Sequence, residues 1–130
     1  MASSSGLDVA KDHLDVHLRP TGETFSVPHD EAGLMALVDR LRSRSVTLIA
    51  LEATGGYEAT VAATLASAGL AVAVVNLRQI RDFARATGLL AKTDTLDARI
   101  IAHFAEAVRP APRPLPDAHG GFGGYSGGHW

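Results

Sequence analysis

The stretch VTLIALEATGG, residues 46–56, decides the fold. Val46–Leu51 forms an essentially continuous apolar run, as expected of a strand covered on both faces. The run ends on a carboxylate, Glu52, and Ala53-Thr54-Gly55-Gly56 breaks it. Beyond the break, Val61, Thr64, Leu65 and Ala68 recur at the helical period. That predicts a helix from about Tyr57 to Ala68, with Gly69 as its stop. Before the run, Leu34, Leu37, Val38 and Leu41 sit at i, i+3, i+4 and i+7, the pattern of an amphipathic helix over 30–43. Asp30 and Glu31 suit the first turn of that helix, and Arg40, Arg42 and Arg44 suit its end.

Working outward, AVAVV at 71–75 reads as a second buried strand. Asn76 and Gln79 have the spacing of a capping box. The helix they open carries Ile80, Phe83, Ala84 and Thr87 on one face, and Gly88 closes it. Towards the N-terminus the period is two. Gly6–Ala10 places Leu7 and Val9 on one side and Asp8 on the other. Leu14–Arg19 alternates Leu14, Val16 and Leu18 with Asp15, His17 and Arg19, which predicts a half-solvated strand. Pro20-Thr21-Gly22 is a turn, and Glu23–Val27 alternates again with Phe25 and Val27 inward. Short connections favour an antiparallel meander for these three strands. The expected fold is α/β: a mixed five-stranded sheet flanked by helices on both faces.

AKTDTLDAR, residues 91–99, places Asp94 and Asp97 three residues apart. Leu96, Ile100, Phe104 and Ala107 continue at about the helical period, with Thr93 as the expected N-cap and Asp94 as the first helical residue. On a helix the two carboxylates would share a face roughly 5–6 Å apart, repelling by a few tenths of a kcal/mol. An acidic first turn is also what the helix dipole favours without any further role.

Composition narrows the classes. The chain has 130 residues, enough for one domain with a core, and no cysteine, which excludes disulfides and thiolate metal sites. No apolar run approaches a membrane span, and MASSSG lacks a charged and apolar signal pattern, so a cytoplasmic chain is expected. Net charge is −2, so nucleic-acid binding has to come from local charge. Arg78, Arg81, Arg85, Lys92 and Arg99 supply it. The first three fall on or near one helix face and suit backbone contacts. Thr54, Gly55, Gly56 and Tyr57 make a Gly-rich turn into a helix N-terminus, a natural phosphate cradle. A solvated face and an ordinary strand-to-helix turn are the plain alternatives. Past Arg109, RPAPRPLPD has four prolines in nine residues, and the Gly-rich AHGGFGGYSGGHW cannot bury a core. The expected division is a folded domain over 1–109 and a disordered tail over 110–130.

In open α/β sheets, sites form at the carboxyl ends of parallel strands. Glu52 stands at such an end, Asp8 lies in a strand that can be its neighbour, and Asp94 and Asp97 open a helix that can cross the same edge. Four converging carboxylates repel one another unless hard divalent cations, Mg²⁺ or Mn²⁺, sit between them. Two such ions clamp the attacking and leaving oxygens of a phosphoryl transfer. Taken singly, Asp8 can equally be satisfied by backbone amides or Lys11, and Glu52 can cap a turn or pair with an arginine.

GLDVAKDHLDV, ALEATGGYE and VVNLRQIRDFARATGLLAKTDTLDARIIAHFAE strongly resemble the N-terminal catalytic domain of the DEDD-type insertion-sequence transposases. Some members of that family are bridge-RNA-guided recombinases. The resemblance covers about residues 6–116. It implies a RuvC-like, RNase H-like fold and maps the family's acidic set onto Asp8, Glu52, Asp94 and Asp97. It further implies Mg²⁺-dependent cleavage and transfer of DNA strands, a guide RNA and a homo-oligomeric synaptic complex. Members continue into a second domain with a nucleophilic serine. This tail matches no such segment, so Ser126 is assigned no role and a shortened chain is expected. Two other readings compete. A non-catalytic fragment would bind nucleic acid or oligomerise. An ATP-binding domain of the actin and sugar-kinase type would want a glycine soon after the first-strand aspartate, where this chain has Val9, Ala10 and Lys11.

Overall fold

A computed structural model describes residues 3–53, 56–89 and 97–112. The elements run β1 (Ser3–Val9), β2 (His13–Arg19), β3 (Thr24–Pro28), α1 (Glu31–Ser43), β4 (Val46–Glu52), α2 (Tyr57–Ser67), β5 (Val72–Val75), α3 (Leu77–Ala86) and α4 (Ala98–Val108). The strands form one sheet in the order β3-β2-β1-β4-β5. β1 pairs antiparallel with β2 and β2 with β3, whereas β1–β4 and β4–β5 are parallel. This is the mixed five-stranded sheet expected from the change of period along the chain.

Alternation along the strands sorts the core into two layers. Leu7, Val9, Leu14, Val16, Leu18, Ile49 and Leu51 pack with Leu37 and Leu41 of α1 and Val61 and Leu65 of α2. Leu48, Ala50, Ala73 and Val75 form the other layer with Ile80 and Ala84 of α3 and Ile100, Ile101 and Phe104 of α4. β4 is buried from both sides, which is why its sequence does not alternate. Gly6 is the point of closest approach between β1 and α4: a Cβ there would overlap the carbonyl of Ala98 and the amide nitrogen of Ala102. Only glycine lets the helix lie directly on that strand.

The caps follow the sequence with one correction. Asp30 caps α1 by accepting from the Gly33 amide at 2.7 Å, and Asn76 caps α3 by accepting from the Arg78 amide at 2.7 Å. The fourth helix, however, begins at Ala98. Asp97 is its N-cap, in extended conformation at φ −136° and ψ 177°, and accepts from the Ile100 amide at 3.0 Å. Asp97 therefore does not stand in helical phase three residues into a helix opened by Asp94. An aspartate N-cap satisfies an otherwise orphaned amide, which favours a start at this position. Thr93 and Asp94 lie outside the described residues, as do Gly55, Lys92 and residues 113–130 of the Pro/Gly-rich tail.

A second correction concerns β2. The expected solvated face is only partly solvated. His17 is 6% exposed, because α4 lies across that side of β1 and β2. Thr87 is also exposed rather than inward: it ends α3, and its hydroxyl donates back to the Phe83 carbonyl at 2.8 Å. None of the described helices is long and apolar enough to cross a membrane.

Candidate active site

Three of the four acidic residues arrive at one end of the sheet by separate routes. Asp8 lies one residue before the end of β1, on the face where Gly6 receives α4. Glu52 is the last residue of β4, on the face of Leu48 and Ala50. β1 and β4 are parallel, with Gly6 opposite Ala50 and Leu7 opposite Leu51. One step further along each strand stand Asp8 and Glu52, at adjacent carboxyl ends and on the same face. Asp97 is delivered from the other direction by the start of α4, which Gly6 holds against β1.

The carboxyls respond to this placement. Burial, then the charges of Asp15 and Asp97, push Asp8 above its ordinary range, while His13 pulls the other way. Burial and the Asp8 charge push Glu52 up, and Arg81 opposes them. Each effect disfavours the ionised form, through desolvation and through like charge. Asp8 is the common member, coupled to both Glu52 and Asp97. Carboxylates of this kind, half-buried and repelling, suit a hard cation. Among the described residues, no three such groups are gathered closely enough to hold one. The oxygen donors are of the type that suits Mg²⁺ or Mn²⁺, and Asp94, the fourth candidate, lies outside the described residues.

Sequence reasoning missed Asp15. The β1–β2 hairpin places it directly opposite Asp8 in register. Its Oδ1 accepts from the Ser26 hydroxyl of β3, and its Oδ2 lies 3.5 Å from His13 Nε2. His13 Nδ1 in turn lies 2.8 Å from Asp12 Oδ1, and the His13 pKa is raised, chiefly by that hydrogen bond. The signal was available. A short polar turn between two alternating strands sets a register, and that register pairs the two aspartates. His17 is the second omission. It lies opposite Gly6, burial pushes its pKa down, and neither ring nitrogen has a hydrogen-bond partner. A groove of about 420 Å³ opens beside these residues, lined among others by Asp15, His17, Thr24, Ser26, Asp97 and Arg99.

The basic candidates divide. Arg78 and Arg85 are exposed on α3, and Arg81 is partly buried. Gly56 precedes α2, but its amide already donates to Glu58 Oε1 at 3.0 Å. As a phosphate cradle it would need that carboxylate to move. A second groove, of about 520 Å³ between α1 and α2, is lined by His29, Leu34, Met35 and Tyr57 and by none of the candidate acids.

A family model described as "Transposase", of the DEDD type, matches residues 5–120. No curated protein matches the chain. Among solved structures, the fold is similar to Thermus thermophilus RuvC in complex with a Holliday junction substrate. Identity is 14% and the TM-score 0.59, over 86% of this chain and 99% of that one. A second Thermus thermophilus RuvC structure matches at 16% identity and a TM-score of 0.48, over 86% of this chain and 83% of that one. The likeness to the first identifies the sheet and its helices as RNase H-like. With the family model spanning most of its length, the chain belongs to the DEDD transposases of insertion sequences.

Proposed function

We infer that residues 1–109 are the catalytic domain of a DNA transposase that cleaves and transfers phosphodiester strands with divalent metal. One observation carries the reading: Asp8 and Glu52 stand at the carboxyl ends of adjacent parallel strands on one face, where the Asp8 charge raises Glu52, and Asp97 is brought to Asp8 by a separate helix. A stability-driven fold has little reason to collect unpaired like charges at the carboxyl edge of its sheet.

Asp8, Glu52, Asp94 and Asp97 would hold Mg²⁺ or Mn²⁺, in a pair of ions. Bound there, the ions supply Lewis-acid activation of the phosphodiester. The chain's own residues do the rest. The α4 cap fixes Asp97, the Gly6 contact fixes α4 on β1, and Arg78 and Arg85 contact the strand backbone. Gly55, Gly56 and Lys92 are further phosphate contacts in this reading. RuvC, in its Holliday-junction complex, is the reason to offer branched DNA as the first substrate. A guide RNA and a homo-oligomer are the partners implied by the family resemblance.

The test is Mn²⁺ binding by calorimetry on the full chain, beside Asp8→Asn, followed by cleavage of branched DNA in Mn²⁺. Binding in the parent chain, lost in the variant, together with cleavage is the expected result. Binding that survives Asp8→Asn overturns the metal assignment. Binding without cleavage overturns the catalytic one and leaves a nucleic-acid-binding fragment.

A further inference from the structure

Two rows of side chains cross the sheet on the face that carries Asp8. Ser26 of β3 stands opposite Asp15 of β2, and Asp15 opposite Asp8 of β1. In the next row Thr24 stands opposite His17, and His17 opposite Gly6. Directly opposite residues of antiparallel strands share a face. α4 seats on Gly6 and covers the β1 end of these rows, whereas Thr24 and Ser26 at the β3 end are exposed. The strip left open is the groove of about 420 Å³, the scale of a small-ligand site. Asp97 and Arg99, from the start of α4, form its other side. Through Asp97 the groove runs into the acidic edge.

The lining selects its ligand. Two carboxylates, Asp15 and Asp97, against one guanidinium, Arg99, make a poor seat for phosphate and a good one for a neutral group that donates. Asp15 is set up to accept. The Ser26 hydroxyl donates to its Oδ1 and holds it. Its Oδ2 has His13 Nε2 at 3.5 Å, beyond a normal hydrogen bond, and the side chain is part-exposed. His17 is the independent sign of a ligand. It lines the groove, is more than nine-tenths buried, and neither ring nitrogen has a partner among the described residues. A buried polar group left unpaired is costly, so its presence calls for something that completes it. The edge of a nucleobase meets these demands: it is neutral and planar, with an amino donor beside a ring-nitrogen acceptor. Aspartate takes such an amino group from cytosine. The groove has room for one base rather than a pair, so the base it takes is unpaired.

We propose that this groove seats one unpaired base of the DNA strand beside the phosphate held at the acidic edge, and that it favours a base with an exocyclic amino group. Asp15 accepts from the amino group, Ser26 fixes Asp15, and His17 donates to the ring nitrogen. The proposal rests on reading the acidic edge as the place where the strand is cut. Phosphates stay with Arg78 and Arg85, so the groove adds discrimination more than affinity.

The experiment uses the full chain with Asp15→Asn and Ser26→Ala, each checked for folding by thermal melting. Labelled oligo(dC) and oligo(dT) of equal length are titrated by fluorescence anisotropy at neutral pH and low salt, with EDTA present. Homopolymers offer the same base in every register, and dC carries the amino group that dT lacks. The parent chain binds oligo(dC) about 5- to 10-fold more tightly than oligo(dT), the scale of one discriminating contact. In Asp15→Asn that ratio falls to about 1 while affinity for oligo(dT) does not fall, because the phosphate contacts remain. In Ser26→Ala the ratio falls part of the way. Equal binding of the two probes by the parent chain, or binding of neither, overturns the proposal. So does a ratio that survives Asp15→Asn, since a merely structural aspartate shifts both probes together. A preference seen for oligo(rC) over oligo(rU) but not between the DNA probes overturns the assignment to the DNA strand. No metal takes part, so the outcome is independent of cleavage. A chain that discriminates the probes yet never cuts branched DNA in Mn²⁺ keeps the base site and loses the catalytic reading.

Discussion

Asp8 and His17 stand on the same sheet face and titrate against stability in opposite directions. Asp8 is raised by burial and by Asp15 and Asp97. The folded chain therefore holds that proton more tightly than the unfolded chain does. Its contribution to stability is complete below the ordinary carboxylate range and is lost as pH rises through the raised value. Asp8→Asn removes the penalty. Its melting temperature at pH 7 should exceed the parent's, by a margin that solvent screening at this half-exposed carboxyl keeps small. At the acid end of the carboxylate range the two should converge. Calorimetric melting across pH checks this, and equal melting at pH 7 would count against the strain assigned to Asp8. His17 is lowered by burial, then by Arg19, His103 and Arg99. Its contribution is present above pH 6.5 and is lost as pH falls through the depressed value. His17→Leu, which leaves no unpartnered nitrogen, should flatten the decline in stability on the acid side of neutrality. An unchanged acid limb would show that the imidazole is already satisfied in solution.

At the scale of elements, α4 carries both structure and chemistry, and substitutions can separate them. Asp97 caps α4 through Ile100. Asparagine caps about as well as aspartate but brings no charge, whereas alanine does neither. Asp97→Asn should keep the parent's melting temperature within a degree or two and lose Mn²⁺ binding. Asp97→Ala should lose both, with stability down by about 1 kcal/mol. If Asp97→Asn binds Mn²⁺ as the parent does, Asp97 is a cap and nothing more. The seat of α4 is equally testable. Gly6→Ala drives a methyl into the α4 backbone. Overpacking of that kind costs about 1–3 kcal/mol, and because the yielding partner is α4, weakened metal binding should accompany it. Elements of this sort were only partly legible in the sequence. The meander, α1, β4 and β5 follow directly from their periods and caps, since each pattern is local. The sequence places the start of α4 four residues early, because Thr93, Asp94 and Asp97 all have cap or first-turn chemistry and local propensity does not choose among them. The burial of His17 was invisible for a related reason. Alternation marks a face as polar, and only the glycine notch opposite His17 reveals that a helix closes over it.

At the scale of the whole molecule, the sheet order does what no single motif could. Placing β1 between β2 and β4 sets Asp8 against Asp15 on one side and in step with Glu52 on the other. The pairing of Asp8 with Glu52 was legible from the order of strands. The coupling to Asp15 required the hairpin register. Charge is distributed on the same plan. The chain is net −2, yet α3 presents arginines beside the acidic edge, while Arg40 of α1 and Arg44 at its C-cap share Glu23. Nucleic-acid affinity should therefore come from a few phosphates near α3 rather than from a broad basic surface. With about three phosphates neutralised, log K against log salt should fall with a slope of about −2.5 to −3. Arg85→Gln should make that slope shallower by about 1 and weaken binding alike on different DNA sequences. Arg42→Gln, on α1 where its guanidinium donates to the Ala68 carbonyl, should leave the slope as it is. Equal slopes for the parent and Arg85→Gln would move the interface off α3. A slope much steeper than −3 would mean that the bound species gathers basic residues from more than one copy of the chain.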